Sequence, residues 1–181
     1  MPIVPSQTSN ILVPGYASGR YYTTQNIHNT ITQTLATNNL YYLPVYIAAY
    51  IQIIAIAARV STALAGTCRL GIYDNSNGLP SNRILDAGTI DTSSTGVKEL
   101  AVSSLYLKAG WHWFTVFAGN AATFDSTNGT ISNGIIGNSI VTTTQVTGLR
   151  ATLTYTTLPT VAPLTSLLYA SSVPLLWFKV G

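Results

Sequence analysis

Five carboxylate side chains are the only acids that this sequence offers for catalysis. They are spread along its 181 residues as Asp74, Asp86, Asp91, Glu99 and Asp125. Hydrolysis of a glycosidic bond needs two carboxylates about 5 to 10 Å apart, and Asp74 could approach Asp86 or Asp91 at one end of a folded domain. Turn formation and a salt bridge from Arg69 to Asp86 or Asp91 explain these acids more simply. Because no nucleophile elbow, dinucleotide-binding turn or phosphate-binding loop occurs either, we predict that the protein is not an enzyme.

Histidine and cysteine provide no recognisable metal site. His28 and His112 have no Cys, Asp or Glu partner at metal-ligand spacing. Cys68 is the only cysteine, so it cannot close an intramolecular disulfide, and its apolar surroundings predict a buried thiol. Residues 74–78 cluster oxygen donors but lack the carboxylates of a calcium loop. The sequence therefore predicts no metal and no cofactor.

Charged residues are scarce along the whole chain. They number 13, or 7 %, where a soluble domain has about a quarter, and 26 Thr, 16 Ser and 12 Asn take their place. Residues 1–58 contain a single charge, Arg20. The net charge of +3 reflects the shortage of acids, and since Lys and Arg form no cluster, binding to nucleic acid is excluded.

One apolar run invites a membrane interpretation. Residues 45–58 are interrupted by Gln52 and followed by Arg59, and they fall short of the roughly 20 residues that cross a bilayer as a helix. The N-terminus has no basic region followed by an apolar stretch, so it does not resemble a secretory signal. We predict no membrane insertion.

Regularly spaced turn residues divide the chain from Leu40 onward into short strands. This spacing, about 8 to 12 residues, predicts an all-β fold, a jelly-roll-like β-sandwich. For residues 45–58 a buried helix remains the alternative because of their alanines. Residues 111–118 are apolar on both faces, which is typical of a central strand. The predicted strands are 41–46, 50–60, 68–73, 83–90, 97–107, 111–118, 149–158 and 173–180.

Two segments stand apart from this pattern. Residues 1–40 have few periodic aliphatic side chains and cannot bury a core of their own, so we predict an extended arm that docks on another molecule, followed by the sandwich at 41–181. Residues 119–148 are rich in Gly, Asn, Ser and Thr, and they form a long excursion. We expect an inserted hairpin there, around Ile135, Ile136, Ile140 and Val141.

Tyrosine is concentrated near the start of the chain. Seven of the eleven tyrosines lie between Tyr16 and Tyr50, and Tyr suits interfaces because it offers a large area with a polar tip. The alternative is that several of them pack in the core of the sandwich. The predicted interface residues of the arm are Tyr16, Arg20, Tyr21, Tyr22, Tyr41 and Tyr42.

Two tryptophans are candidates for contact with a sugar. Trp111 and Trp113 share one face of a predicted strand, where they either pack in the core or form a stacking platform. The turn at 74–78 adds hydrogen-bonding groups. A candidate glycan site therefore comprises Asp74, Asn75, Asn77, Trp111 and Trp113.

An ordered set of short motifs resembles a known group of modules. The motifs are Arg69-Leu-Gly-Ile-Tyr73, Asn77-Gly-Leu-Pro80, Leu85-Asp-Ala-Gly-Thr89, Thr95-Gly-Val-Lys98 and Gly110-Trp-His-Trp113, preceded by Gly19-Arg-Tyr-Tyr22 and Leu40-Tyr-Tyr-Leu-Pro44. They are similar to the β-sandwich modules of tail-fibre, head-fibre and related appendage proteins of tailed bacteriophages. The resemblance covers about 16–118 and 173–180. It departs at His112, where such modules often carry a second aromatic residue, and in the length of the 119–148 excursion.

The resemblance implies a structural component of a virion, made in the cytoplasm of the host bacterium. Its place would be a fibre, an appendage, a neck or a capsid decoration. The implied partners are sister subunits, with a homotrimer favoured, and other virion proteins. The alternative function is host attachment by an adhesin that recognises a host-surface glycan.

Overall fold

Strands make up nearly all the regular structure of this chain. The computed structural model describes residues 15–24, 30–128, 136–137 and 145–181, with the side chain of Ser104 left out. One short 3₁₀ helix, Leu164–Ser166, lies among them. The strands are β1 (Tyr21–Tyr22), β2 (Thr30–Thr34), β3 (Asn39–Ile47), β4 (Ile51–Thr62), β5 (Thr67–Ser76), β6 (Leu79–Asp91), β7 (Gly96–Leu107), β8 (Gly110–Ala118), β9 (Thr123–Thr127), β10 (Gly148–Thr152), β11 (Leu168–Ala170) and β12 (Leu176–Val180).

The strands form two antiparallel sheets, which we name after their central strands. In the β8 sheet the order is β11-β10-β3-β8-β5-β6. In the β4 sheet, β7 pairs with one edge of β4, while β12 and then β9 share the opposite edge. β1 lies beyond β12, and β2 lies beyond β9. The predicted all-β sandwich is confirmed.

The main core lies between the two sheets. Alternate residues of the central strands point into it, for example Ile56 and Ala58 of β4 and Phe114 and Val116 of β8. Each such side chain contributes about 1.5–3 kcal/mol by leaving water. Cys68 is fully buried in this core, which confirms the prediction for the thiol.

A second core lies on the outer face of the β8 sheet. Residues 153–167 cross this face, and Leu158 and Ala162 of this segment are buried against Tyr42, Tyr73 and Phe117. We call residues 153–167 the cover. The sheet therefore has apolar side chains on both faces, as predicted for residues 111–118.

Hydrogen bonds and one glycine hold the cover in place. The Tyr73 hydroxyl donates to the carbonyl oxygen of Pro159 at 2.7 Å, and the backbone N–H of Arg83 donates to that of Thr160 at 2.9 Å. A Cβ atom on Gly71 would lie 2.2 Å from Leu158 Cδ1. Gly71 also stands at a register shift between β5 and β6, and a glycine inside a strand commonly marks such a bulge or a close approach.

Several element boundaries differ from the predicted ones. Residues 45–58 form parts of β3 and β4 and not a helix. β10 ends at Thr152 because the chain then leaves the sheet to become the cover. The β5–β6 turn consists of Asn77 and Gly78 alone, both with positive φ, which is the hairpin geometry that Asn-Gly favours. β9 lies inside the predicted excursion. Of the hairpin expected there, only Ile136 falls within the described residues.

The first forty residues contribute to the sandwich of their own chain where the structure describes them. β1 pairs with β12, β2 pairs with β9, and Leu35 is buried in the main core. Residues 1–14 and 25–29, including His28, lie outside the described residues. Docking of the arm on another molecule stays a prediction.

Candidate functional site

The predicted glycan residues are partly brought together near the start of β8. Trp113 Nε1 donates a hydrogen bond to Asn75 Oδ1 at 2.9 Å. With Trp111, Pro44 and Gly78 these residues line a cleft of about 150 Å³. Trp113 is 3 % exposed and Trp111 is 39 % exposed, so the core and surface alternatives each hold for one of the two rings. We call this site the Trp111 cleft.

Asp74 and Asn77 do not line the Trp111 cleft. The Asp74 carboxylate accepts the backbone N–H of Asn75 at 2.8 Å, and Asn77 is an exposed turn residue with φ of 53°. The Asp74 side chain thus serves the local backbone, and Asn77 supplies the left-handed conformation of the turn, as Asp and Asn commonly do.

Most of the predicted interface tyrosines face the interior of their own chain. Tyr41 and Tyr42 are buried. Tyr16 packs against Tyr22 with ring centroids 4.8 Å apart, and its hydroxyl accepts the backbone N–H of Ala48. Burial raises the pKa of Tyr16 above its ordinary value. Of the six residues named for the arm, Arg20 and Tyr21 remain exposed.

A larger groove crosses the outer face of the β4 sheet. Its volume is about 450 Å³, which lies in the range of about 300–1,000 Å³ that ligand pockets occupy. It is lined by Tyr21, Ala57, Arg59, Val97, Asp125 and Trp177. We call it the β4 groove.

The floor of the β4 groove depends on small side chains. Ala55 and Ala57 share the outer face of β4, where Ala57 lies between Trp177 of β12 and Glu99 of β7. The Tyr21 hydroxyl donates to Glu99 Oε2. Because β12 and β4 separate β1 from β7, the Tyr21 side chain must extend across both strands, and the small alanine side chains leave room for it.

Charges surround the β4 groove in balanced pairs. Arg59 Nη1 lies 3.1 and 3.0 Å from the two carboxylate oxygens of Asp125. Lys179 Nζ lies 5.2 Å from the centroid of the Tyr21 ring. The hydroxyl group of Tyr21 donates to the Glu99 carboxylate. Four of the 13 charged residues of the chain thus meet on one face, and their formal charges sum to zero.

Of the residues that line the β4 groove, the sequence placed only Tyr21 in a predicted site, while Asp125 was named only as one of five scattered carboxylates. Trp177 and Lys179 are two positions apart, as are Ala57 and Arg59, so each pair shares one face of its strand. This spacing could have placed these residues on outer faces. Their convergence depends on which strands are neighbours, since residues more than a hundred positions apart meet in the β12–β4 pairing. A single sequence carries no signal for that choice.

A third surface is built from a stretch of sequence without charge, although Arg150 of β10 lies opposite Leu168 of β11. Residues 151–178 contain no Lys, Arg, Asp or Glu, yet they form the cover and the edge strand β11. Leu168 and Tyr169 of β11 are 52 % and 68 % exposed, and Val161 and Leu164 are exposed beside them in sequence. We call residues 161–169 the uncharged edge.

Titratable groups outside these surfaces are mainly structural. His112 Nε2 lies 2.9 Å from the carbonyl oxygen of Lys108, and burial raises the pKa of the Cys68 thiol. Arg69 pairs with Asp86 at 2.6 Å, so the first of its two predicted partners is confirmed. Within the described part of the chain, no three His, Cys, Asp or Glu residues gather as metal ligands would, and no helix is long and apolar enough to span a bilayer.

No family model matches this sequence, and no curated protein matches it. Any functional proposal must therefore be argued from the surfaces described above, together with the motifs of the sequence.

Proposed function

We propose that this protein is a structural subunit of a tailed-bacteriophage particle, part of a fibre, an appendage or a capsid decoration, and that it assembles with sister subunits. The observation that carries the proposal is the uncharged edge. The ordered motifs that resemble phage appendage modules support it from the sequence.

The physical argument concerns self-association. A strand at the edge of a sheet presents unpaired backbone groups, and monomeric proteins usually protect such edges with charges, proline or a bulge. Leu168 and Tyr169 instead place large apolar side chains on the edge of the β8 sheet, within 28 residues, 151–178, that lack any charge. Such a surface favours association, and association is the purpose of a virion subunit.

The arm is tested by a deletion that leaves the described fold intact. Removal of residues 1–40 would take away β1, β2 and the start of β3, so it would damage the sandwich itself. Removal of residues 1–14 spares all of these strands. We expect the shortened protein to keep its β-sheet circular dichroism but to be missing from purified particles, as judged by mass spectrometry. Normal incorporation would contradict assembly through this segment.

The uncharged edge is tested by adding charge. We expect Leu168→Lys combined with Tyr169→Lys to reduce the oligomer mass while the protein stays folded. Ile31→Lys combined with Thr32→Lys places two lysines on β2, at the edge of the other sheet, and serves as the matched control. Equal masses for both double variants and the wild type would contradict a role for β11 in assembly.

Recognition of a host-surface glycan is the second candidate function. It is favoured by the meeting of Asn75, Trp111 and Trp113 in the Trp111 cleft, because an aromatic ring beside an amide suits a sugar. A bacterial glycan array tests it with the wild type and Trp111→Ala. Binding that is lost in the variant is the expected result, and silence of the wild type across the array would contradict this function.

A further inference from the structure

We infer that the β4 groove is a binding site for a neutral saccharide, separate from the Trp111 cleft. The inference shares its ligand class with the second candidate function and does not depend on the assembly role. At about 450 Å³ the groove is three times as large as the Trp111 cleft, at about 150 Å³. The groove lies within the size range of small-ligand sites and the cleft lies below it.

Aromatic rings form the apolar walls of the groove. Trp177 is half-buried on the outer face of β12, and the exposed ring of Tyr21 lies across the alanine floor. Tyr21 is held from two sides, since its hydroxyl bonds Glu99 and its ring contacts Lys179. A ring fixed in this way loses little conformational entropy when a ligand stacks on it.

Arg59 and Asp125 supply the polar part of the groove. Arg59 directs one nitrogen, Nη1, to the Asp125 carboxylate, and a guanidinium has five N–H donors in all. The two side chains are 54 % and 26 % exposed, so solvent reaches both. Donors and acceptors next to an aromatic wall match the adjacent hydroxyl groups and the apolar C–H face of a sugar ring.

The charge balance decides against a charged ligand. The groove is surrounded by two cations and two anions, and a phosphate or carboxylate would have to displace Asp125 from Arg59 or approach Glu99. Loss of one member of a charge pair leaves the other without its partner. An uncharged ligand that carries hydroxyl groups keeps all four charges satisfied.

A comparison of the two outer faces of the sandwich supports an open site at the β4 groove. The outer face of the β8 sheet is closed by the cover, whereas the β4 groove is lined by strands of its own sheet, and Tyr21, Arg59 and Val97 are exposed there. Another subunit that covers the groove is the competing occupant, and the test separates it from a saccharide.

The test uses the full-length protein and a panel of neutral oligosaccharides: gluco-, galacto-, manno- and N-acetylglucosamine oligomers. Binding is measured by saturation-transfer NMR and by calorimetry. We expect one class to bind, with affinity at least tenfold weaker in Asp125→Asn and in Trp177→Ala and unchanged in Trp111→Ala. Asp125→Asn keeps the size of the side chain, so it decides the matter if Trp177→Ala fails to fold.

Three results would overturn the inference, and they differ in meaning. Binding that is lost only in Trp111→Ala keeps glycan recognition but assigns it to the Trp111 cleft. Lack of binding by the whole panel at millimolar concentration removes the groove as a saccharide site and counts against the second candidate function. A lower oligomer mass in Asp125→Asn, without saccharide binding by the wild type, identifies the groove as a contact between subunits.

Discussion

The two outer faces of the sandwich differ in how they meet water. Strands β3, β5 and β8 present large apolar side chains on both faces of the β8 sheet. Residues 153–167 cover the outer face and keep its apolar side chains from water. Strand β4 presents Ala55, Ala57 and Arg59 outward, and these need no cover. The outer face of the β8 sheet is closed by the cover, and the outer face of the β4 sheet stays open and has four charged residues around its groove.

This difference separates three kinds of surface in a chain with only 13 charges. The cover is a structural element, the β4 groove concentrates charges of both signs where we propose that a small ligand binds, and the uncharged edge is the surface that we propose for contact with other subunits. This division predicts that substitutions under the cover change stability and that substitutions at the exposed rim of the groove leave it nearly unchanged.

Truncation of the cover should have the largest effect. Leu158 is 1 % exposed and packs over Gly71, so we expect Leu158→Ala to lower the free energy of unfolding by about 2–5 kcal/mol. Val97→Ala at the exposed rim of the β4 groove is the control, with a change within about 0.5 kcal/mol. Urea denaturation measures both. Equal losses would mean that the cover is not a structural element.

Filling the space below the cover should cost somewhat less. A Cβ at position 71 would meet Leu158 Cδ1 at 2.2 Å and the carbonyl oxygen of Leu85 at 2.5 Å. We expect Gly71→Ala to destabilise the protein by about 1–3 kcal/mol. Gly15→Ala, where no atom of the described residues lies within 4 Å of the added Cβ, should be neutral, and thermal unfolding measures both variants. A neutral Gly71→Ala would show that the cover shifts freely.

Alkaline pH should weaken the covered face. Burial raises the pKa of Tyr42 and of Tyr73 well above the usual value, which is about 10. Above that pH the unfolded chain loses these protons and the folded chain keeps them, so stability falls as pH rises. The slope should be about 1.4 kcal/mol per pH unit for each residue. Urea midpoints between pH 8 and 11 should fall less steeply in Tyr42→Phe. An unchanged slope would contradict the burial of this hydroxyl.

The smallest expected effect is a difference in stability between two variants beneath the cover, Tyr42→Phe and Tyr73→Phe. Tyr73 loses its bond to Pro159 when changed to Phe, and we expect a loss of about 1 kcal/mol at pH 7. Tyr42 Oη is buried without a hydrogen-bond partner among the described residues, so Tyr42→Phe should be neutral or slightly stabilising. Thermal unfolding of both variants measures the difference. The reverse order would show that Tyr73 does not anchor the cover.

The fold could be predicted from local patterns wherever one strand follows the next. Alternation located most of β3 to β8, the Asn77-Gly78 pair marked its turn, and Arg69 found Asp86 across the β5–β6 hairpin. Strands β2 and β9 escaped because Thr-rich segments show little apolar alternation. Their pairing depends on contacts about ninety residues apart.

The sites were less predictable than the strands. Asn75, Trp111 and Trp113 were chosen for residue types that suit sugar contact, and the structure brings them together because β5 and β8 are neighbours. Trp177 and Asp125 were missed because the β4 groove exists only once β12, β4 and β9 lie side by side. Several tyrosines predicted at an interface of the arm are buried in their own chain. Residue type could not separate the two cases, since the same amphipathic side chain serves a surface or a core.

The molar mass of the purified full-length protein in solution tests the assembly proposal most directly. Light scattering should give a multiple of the chain mass of 19.3 kDa, with three chains the favoured number, and the mass should hold on dilution. A mass of 19.3 kDa at every concentration would contradict the proposal, because the uncharged edge would then be stable in water without a partner.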